Sequence, residues 1–437
     1  MPSQVKPSNN RSSYAFMFGL VAAAGFAVAT DGWGRFMAST SHIAVQSLGE
    51  ARHVPTAPRE LTAQDMADAR VAWRYFEQNT RPETGLVDSV AGFPSGTLWD
   101  QGSYLFALLS AKELGLISGY QFDKRVSAFL DTMAVLPLFD GVLPNKAYNT
   151  ITGEMVDYDN TVSDRGVGWS ALDIARLLTA FRVLERRAPE YGAQVRAALS
   201  NWQLEKMATA GSLTGAALEG EATVYPQEGR IGYEQYAARA AAMWGLDVSS
   251  AISASAIMDW QQIEGVDVPI DRRSSSAFRA ITPTLSEPYL LLGLEMGLDS
   301  EAQILASRVY DAQWRRYRET GKLTMVSEDH INQAPYFLYS SVFSNGNEWA
   351  VVSEDGTQFD ALRTVSLKAV FGWDALYDNE YTGMLRDTLS HLASSGGWMA
   401  GEFEVDGQKN DVLALNTNGI VLEAIHFMAH GPLWQTN

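Results

Sequence analysis

Carboxylates standing beside aromatic rings recur along this chain, and together they suit the cleavage of a glycosidic bond. That reaction needs two carboxyl groups on opposite sides of the bond, one kept protonated near neutral pH and one charged. The densest such stretch runs from Glu228 to Gly245, where Gly229 and Gly232 lead into an alanine-rich run of high helix propensity. Glu234 falls in its first turn between Tyr233 and Tyr236. A carboxylate there complements the helix dipole and could be no more than a cap. Seated among the two tyrosines, it would instead have its pKa raised toward general-acid duty. Asp329 is the expected partner across a cleft, with Glu328 beside it. Adjacent carboxylates repel, so one of that pair should hold its proton or stay solvated. Asp88, Asp100 and Tyr148 are the expected ligands of sugar hydroxyls, and Trp99, Trp169, Tyr233, Tyr236, Tyr336 and Trp349 the expected ring platforms. Capping explains Asp100 equally well, and Asp173, Asn416 and Asn418 are read as structural or capping residues.

Composition excludes several other chemistries. The net charge of −18 would repel nucleic acid and anionic membrane surfaces. With no cysteine there is no disulfide, thiolate metal site or cysteine nucleophile. Of the six histidines only His426 and His430 share a helix-face spacing, and the residues between them lack the glutamate of HExxH. No Walker A loop, dinucleotide fingerprint or GxSxG elbow is present. Neither cofactor nor metal is expected.

Lys6 and Arg11 precede an uncharged run from Ser12 to Thr30 that ends in Ala27-Val28-Ala29, the pattern of a secretory signal. The run is also nearly long enough to anchor uncleaved in an inner membrane through residues 12–30. The expected organisation is a signal peptide or anchor over 1–30, a linker or wrap over 31–60, and one domain over 61–437, periplasmic or secreted.

From Thr62 the apolar spacing becomes helical. Helices are predicted near 62–79, 98–114, 120–133, 169–187, 189–208, 232–244, 286–294, 300–317, 359–373, 380–393 and 418–430, with a hairpin over 398–412. Long loops over 140–168, 211–230 and 321–358 alternate with short turns, and residues 248–281 read as a polar insertion without clear period. Several helices are apolar nearly all round, as the inner members of a double ring must be. The expected fold is all-α, an (α/α)6 toroid with long loops and a small β-hairpin on one face; a superhelical stack of helix pairs would need a fixed repeat, and none is present.

A series of landmarks over roughly residues 65–430 resembles the bacterial glucoamylase-like (α/α)6 glycosidases, the group holding β-1,2-glucanases and the corresponding domain of cyclic β-glucan synthases. Nearer still is an uncharacterised branch of exported bacterial proteins. Thr84–Ser89 resembles the family's entry segment, Trp169–Ala175 its S-x-x-D-T-A helix start, and Gly232–Tyr236 its Y-S-E segment. Leu323–Asp329 is similar to its T-A-S-D segment and Asp355-Gly356-Thr357 to a downstream D-G-T. The resemblance implies a hydrolase or transglycosylase acting on a neutral glucan or exopolysaccharide, with polysaccharide synthesis machinery as a partner. A non-catalytic polysaccharide-binding or assembly factor on the same fold is the alternative, and a lyase or epimerase using His330 is a third.

Overall fold

The computed structural model describes residues 49–278 and 280–434. Its helices begin where side chains can satisfy the first free N–H groups. Thr62, Thr97 and Ser118 each close a capping box, and they open α1 (Ala63–Asn79), α2 (Leu98–Glu113) and α3 (Gly119–Met133). There follow α4 (Ala171–Arg187), α5 (Gly192–Leu199), α6 (Tyr233–Ala242) and α7 (Glu287–Leu291), which runs on into a π-helical turn, Leu292–Met296. The last four are α8 (Ser300–Thr320), α9 (Leu367–Tyr377), α10 (Glu380–Leu389) and α11 (Leu415–His430).

Six of these close a ring. α2 packs on α4, α4 on α6, α6 on α7, α7 on α9, α9 on α11, and α11 returns to α2. A helix buried between neighbours on every side keeps little polar face, and α9 buries every residue from Leu367 to Tyr377. Close approach is set by small residues: a Cβ on Gly102 of α2 would lie 3.1 Å from the backbone of Leu177 on α4. Outside the ring, α1 packs on α11, α3 on α2 and α5, α8 on α7, and α10 on α9.

Between α6 and α7 the outer layer is a β-hairpin, Met258–Ile263 paired with Val266–Asp271 and packed on α8. This is the stretch whose sequence reads as an aperiodic insertion. Glu264 and Gly265 both have positive φ, 49° and 68°, which suits the tight turn of a two-residue hairpin.

The expectation of an all-helical chain with one hairpin needs correcting. The toroid is helical, yet its long loops form several small sheets among the described residues. Ser95–Thr97 pairs with Ala147–Asn149 and leads directly into α2, while Thr364–Ser366 pairs with Gly397–Phe403 and leads into α9. Glu328–His330 pairs with Phe337–Ser340, which pairs in turn with Val351–Val352. The helix predicted over 359–373 therefore starts later, after that strand.

At the other end of the ring the N-terminal segment crosses the helix C-termini, with Thr56 N–H donating to Leu376 and Arg59 N–H to Met428. The expected signal or anchor, and the linker up to residue 48, lie outside the described residues. Among the described residues no helix is long and apolar enough to cross a membrane.

Candidate active site

The floor of the ring is a buried ionic network. Arg176 of α4, fully enclosed, lies 3.1 Å from Glu295 and 3.3 Å from Glu423 of α11, and the Tyr236 hydroxyl donates to Glu295. Arg176 also lies under the Trp99 ring, 4.7 Å from its centroid. Above this floor the N-terminal ends of five ring helices meet around a narrow pocket. Trp99 and Asp100 come from α2, Asp173 from α4, Tyr233 from α6, Lys368 from α9, and Asn416 and Thr417 from α11. The strand Glu328–His330, with Phe337 from its partner strand, forms the remaining wall.

One ammonium group serves three carboxyls on that wall. Lys368 is ion-paired with Glu287 at the start of α7 and lies 3.9 Å from Asp329, which also accepts a hydrogen bond of 3.1 Å from Ser366. Burial pushes Glu328 up to about 8 and Asp329 up to about 7; the charge of Glu287 raises both and Lys368 opposes. With Glu287 matched to the lysine, the other two cannot both be charged without large cost, so this wall holds a proton near neutral pH. Asp329 Oδ2 is buried without a hydrogen-bond partner. His330 is driven down to about 3 by burial and by Lys368, which leaves it neutral and a poor base.

The facing side carries Asp100 and Asp173. Asp100 accepts from the Thr97 hydroxyl at 2.8 Å and from Ser89. Asp173 accepts from the Ser170 hydroxyl at 3.0 Å. Burial raises the pKa of both; at Asp100 the Ser89 and Thr97 hydroxyls and Arg176 oppose it, whereas burial and the nearby Glu228 push Asp173 well above the usual carboxylate range. In the ring order α4 stands directly across from α9, so Asp173 and the group around Lys368 occupy opposite sides. Trp99 and Tyr233 meet edge to face with centroids 5.5 Å apart, and Trp99 Nε1 has no hydrogen-bond partner.

Of the residues singled out from sequence, the structure brings Glu328, Asp329, Trp99, Asp100 and Tyr233 into this one pocket. Glu234 is not among its lining. Its carboxylate is 2.6 Å from Arg273, which also holds Asp271 at the end of the hairpin, and it accepts from Gln227 at 3.2 Å. The side chain therefore ties α6 to the hairpin segment. Asp88 is clamped by Arg81 and by the Thr150 hydroxyl. The Tyr148 hydroxyl is used by Pro137 O and Asn145 N–H, both at 2.7 Å. Trp169 is buried against Phe139 and Tyr225, and its indole donates to Thr214 O at 3.1 Å. Tyr236 belongs to the ionic floor. Trp349 donates to Glu264 at 3.1 Å and stacks under Arg316. Tyr336 is partly exposed on the loop before Phe337 and does not line the pocket.

Asp173 and Asn416 were legible only as structural residues, and Lys368, Phe337 and Thr417 carried no motif. Lys368 did leave one signal, a lone cation in the apolar run Val365–Trp373. A charge buried there requires a buried partner of opposite sign.

Fold and site together define a helical double-ring protein with a carboxylate-walled pocket at the helix N-termini. The chain belongs to the family described as "Protein of unknown function (DUF3131)", whose model matches residues 67–431. No curated protein matches the sequence. Solved structures share the fold. The endo-β-1,2-glucanase of Chitinophaga pinensis, in complex with sophorotriose and glucose, is similar at 13% identity and TM-score 0.60, over 86% of this chain and 94% of that one. The β-1,2-glucanase of Parabacteroides distasonis is similar at 11% identity and TM-score 0.58, over 86% of this chain and 58% of that one. The endo-β-1,2-glucanase of Talaromyces funiculosus, in complex with sophorose, is similar at 13% identity and TM-score 0.52, over 83% and 84% of the two chains. These likenesses extend the glucoamylase-like resemblance of the sequence to the fold of the whole ring.

Proposed function

We propose that this protein is a glycoside hydrolase of a neutral β-linked glucan and that it works in the pocket between Asp329 and Asp100. The observation that carries this reading is the opposition of two carboxyl-bearing walls across the ring. Glu328 and Asp329 hold a proton against neutral solvent, and Asp100 stands on the facing side, where the Thr97 and Ser89 hydroxyls and Arg176 favour its charge against the effect of burial. A glycosidic oxygen facing the first wall would be protonated as its bond breaks, and the facing carboxylate would stabilise or assist attack at the anomeric carbon. Trp99 and Tyr233 offer ring faces, and Asn416 and Thr417 polar groups for sugar hydroxyls.

The shared fold with proteins that bind sophorose and sophorotriose favours β-1,2-linked glucose as the first substrate to test. Export, read from Lys6, Arg11 and the apolar run after them, would bring the pocket to extracytoplasmic glucans. The test is incubation of the protein with β-1,2-, β-1,3-, β-1,4- and β-1,6-glucans, followed by chromatography of the products. Short oligosaccharides from one β-linked glucan are expected. Unchanged polymer throughout, together with saturable binding to one of them, would favour a binding or assembly factor instead.

A further inference from the structure

The opposite end of the ring carries a second cluster, unconnected with the pocket. There the C-terminal ends of α2 and α11 meet, at the seam where the last ring helix closes on the first. From Asp100 to Glu113 the helix rises roughly 20 Å, which separates this cluster from the carboxylates above. His426 and His430 lie four residues apart on one face of α11, with ring centroids 4.9 Å apart. Glu113, the last residue of α2, places a carboxylate oxygen 2.7 Å from His426 Nε2. One ligand atom from each of the three lies within 4.8 Å of the others. Tetrahedral zinc with bonds of about 2.1 Å holds its ligand atoms about 3.4 Å apart, within reach of small side-chain rotations.

From this geometry we propose that Glu113, His426 and His430 bind one divalent transition-metal ion of the zinc class, which staples the ring closed. Two imidazoles and a carboxylate are a borderline donor set that selects such ions over magnesium. His430 is exposed and opens the site to solvent, leaving the fourth position to water, while His426 is fully buried. The 2.7 Å contact between His426 Nε2 and the Glu113 carboxylate holds a proton that the ion would displace on binding. Two helix C-termini add negative potential that favours a cation. Arg187 opposes it, contacting both Glu113 oxygens at 3.2 Å while donating to Leu433 O at 2.9 Å. It orients the carboxylate and weakens it as a donor, so the site should be one of moderate affinity.

The test is calorimetric titration of the tag-free, chelator-treated full chain with zinc chloride, paired with thermal unfolding. One ion per chain and a raised Tm are expected, with magnesium producing neither. Replacing the exposed His430→Ala should leave the metal-free Tm unchanged, weaken zinc binding at least about tenfold and abolish the Tm shift. Glu113→Gln should weaken it as well. As a second reading, cobalt bound to the wild type should show ligand-field absorption that is lost in the His430 variant. Absence of saturable zinc binding by the wild type, or equal affinity in H430A, would overturn the proposal.

Discussion

The proton on the pocket wall has a thermodynamic signature that needs no substrate. Glu328 rises from an ordinary 4.5 to about 8, chiefly because burial disfavours its charged form and Glu287 repels it. The native state therefore binds a proton that the unfolded chain releases near pH 4.5. Stability from this group is fully present below that pH, is lost as pH rises, and levels off above about 8. A shift of that size is worth at most about 5 kcal/mol. The charge of Asp329 couples to that of Glu328, so we expect the wild type to lose on the order of 2–4 kcal/mol across the window. Glu328→Gln carries no titrating proton, so its stability should depend less on pH. Measured by urea unfolding, it should match or exceed the wild type near pH ~9 and gain nothing near pH ~5. Parallel pH profiles for the two proteins would refute the assignment of a buried proton to this wall.

Lys368→Met should cost about 3–5 kcal/mol in chemical unfolding, because it strands Glu287 in a buried site, and adding Glu287→Gln should recover part of the loss. Glu234→Gln should lower Tm by loosening the Arg273 contact while leaving any glucan cleavage within about threefold, which separates a structural from a catalytic role. Trp99→Ala should weaken oligosaccharide binding by roughly tenfold in titration calorimetry, since its ring forms part of the pocket wall. If Glu328 and Asp329 supply the proton, the rate of glucan cleavage should fall as pH rises through about 7 to 8.

How much of this was legible beforehand depended on whether a feature is local. Capping residues mark their own helices, and the starts expected near 62, 98 and 120 fall within a residue or two of the capping boxes at Thr62, Thr97 and Ser118. All-round apolar runs such as Leu105–Leu114 and Ala171–Leu184 pointed to ring helices, because a helix buried between neighbours has little polar face. The hairpin at Met258–Asp271 escaped because burial does not alternate along either strand, so the sequence carries no period of two. Site residues divided along the same line. Glu328 and Asp329 stood out as paired carboxylates, whereas the neighbour that fixes Glu234, Arg273, is an arginine thirty-nine positions away whose role only the tertiary fold reveals. A carboxylate between two tyrosines is the same pattern whether it faces a sugar or a guanidinium.

The most direct test of the central claim compares the wild type with Asp329→Asn and Asp100→Asn on the glucan that the wild type cleaves, reading oligosaccharide release and binding in parallel. The account predicts that each substitution lowers release by about a hundredfold or more while binding stays within about tenfold, because each wall supplies one half of the acid–base pair. Wild-type release from either variant, with the protein folded, would contradict it.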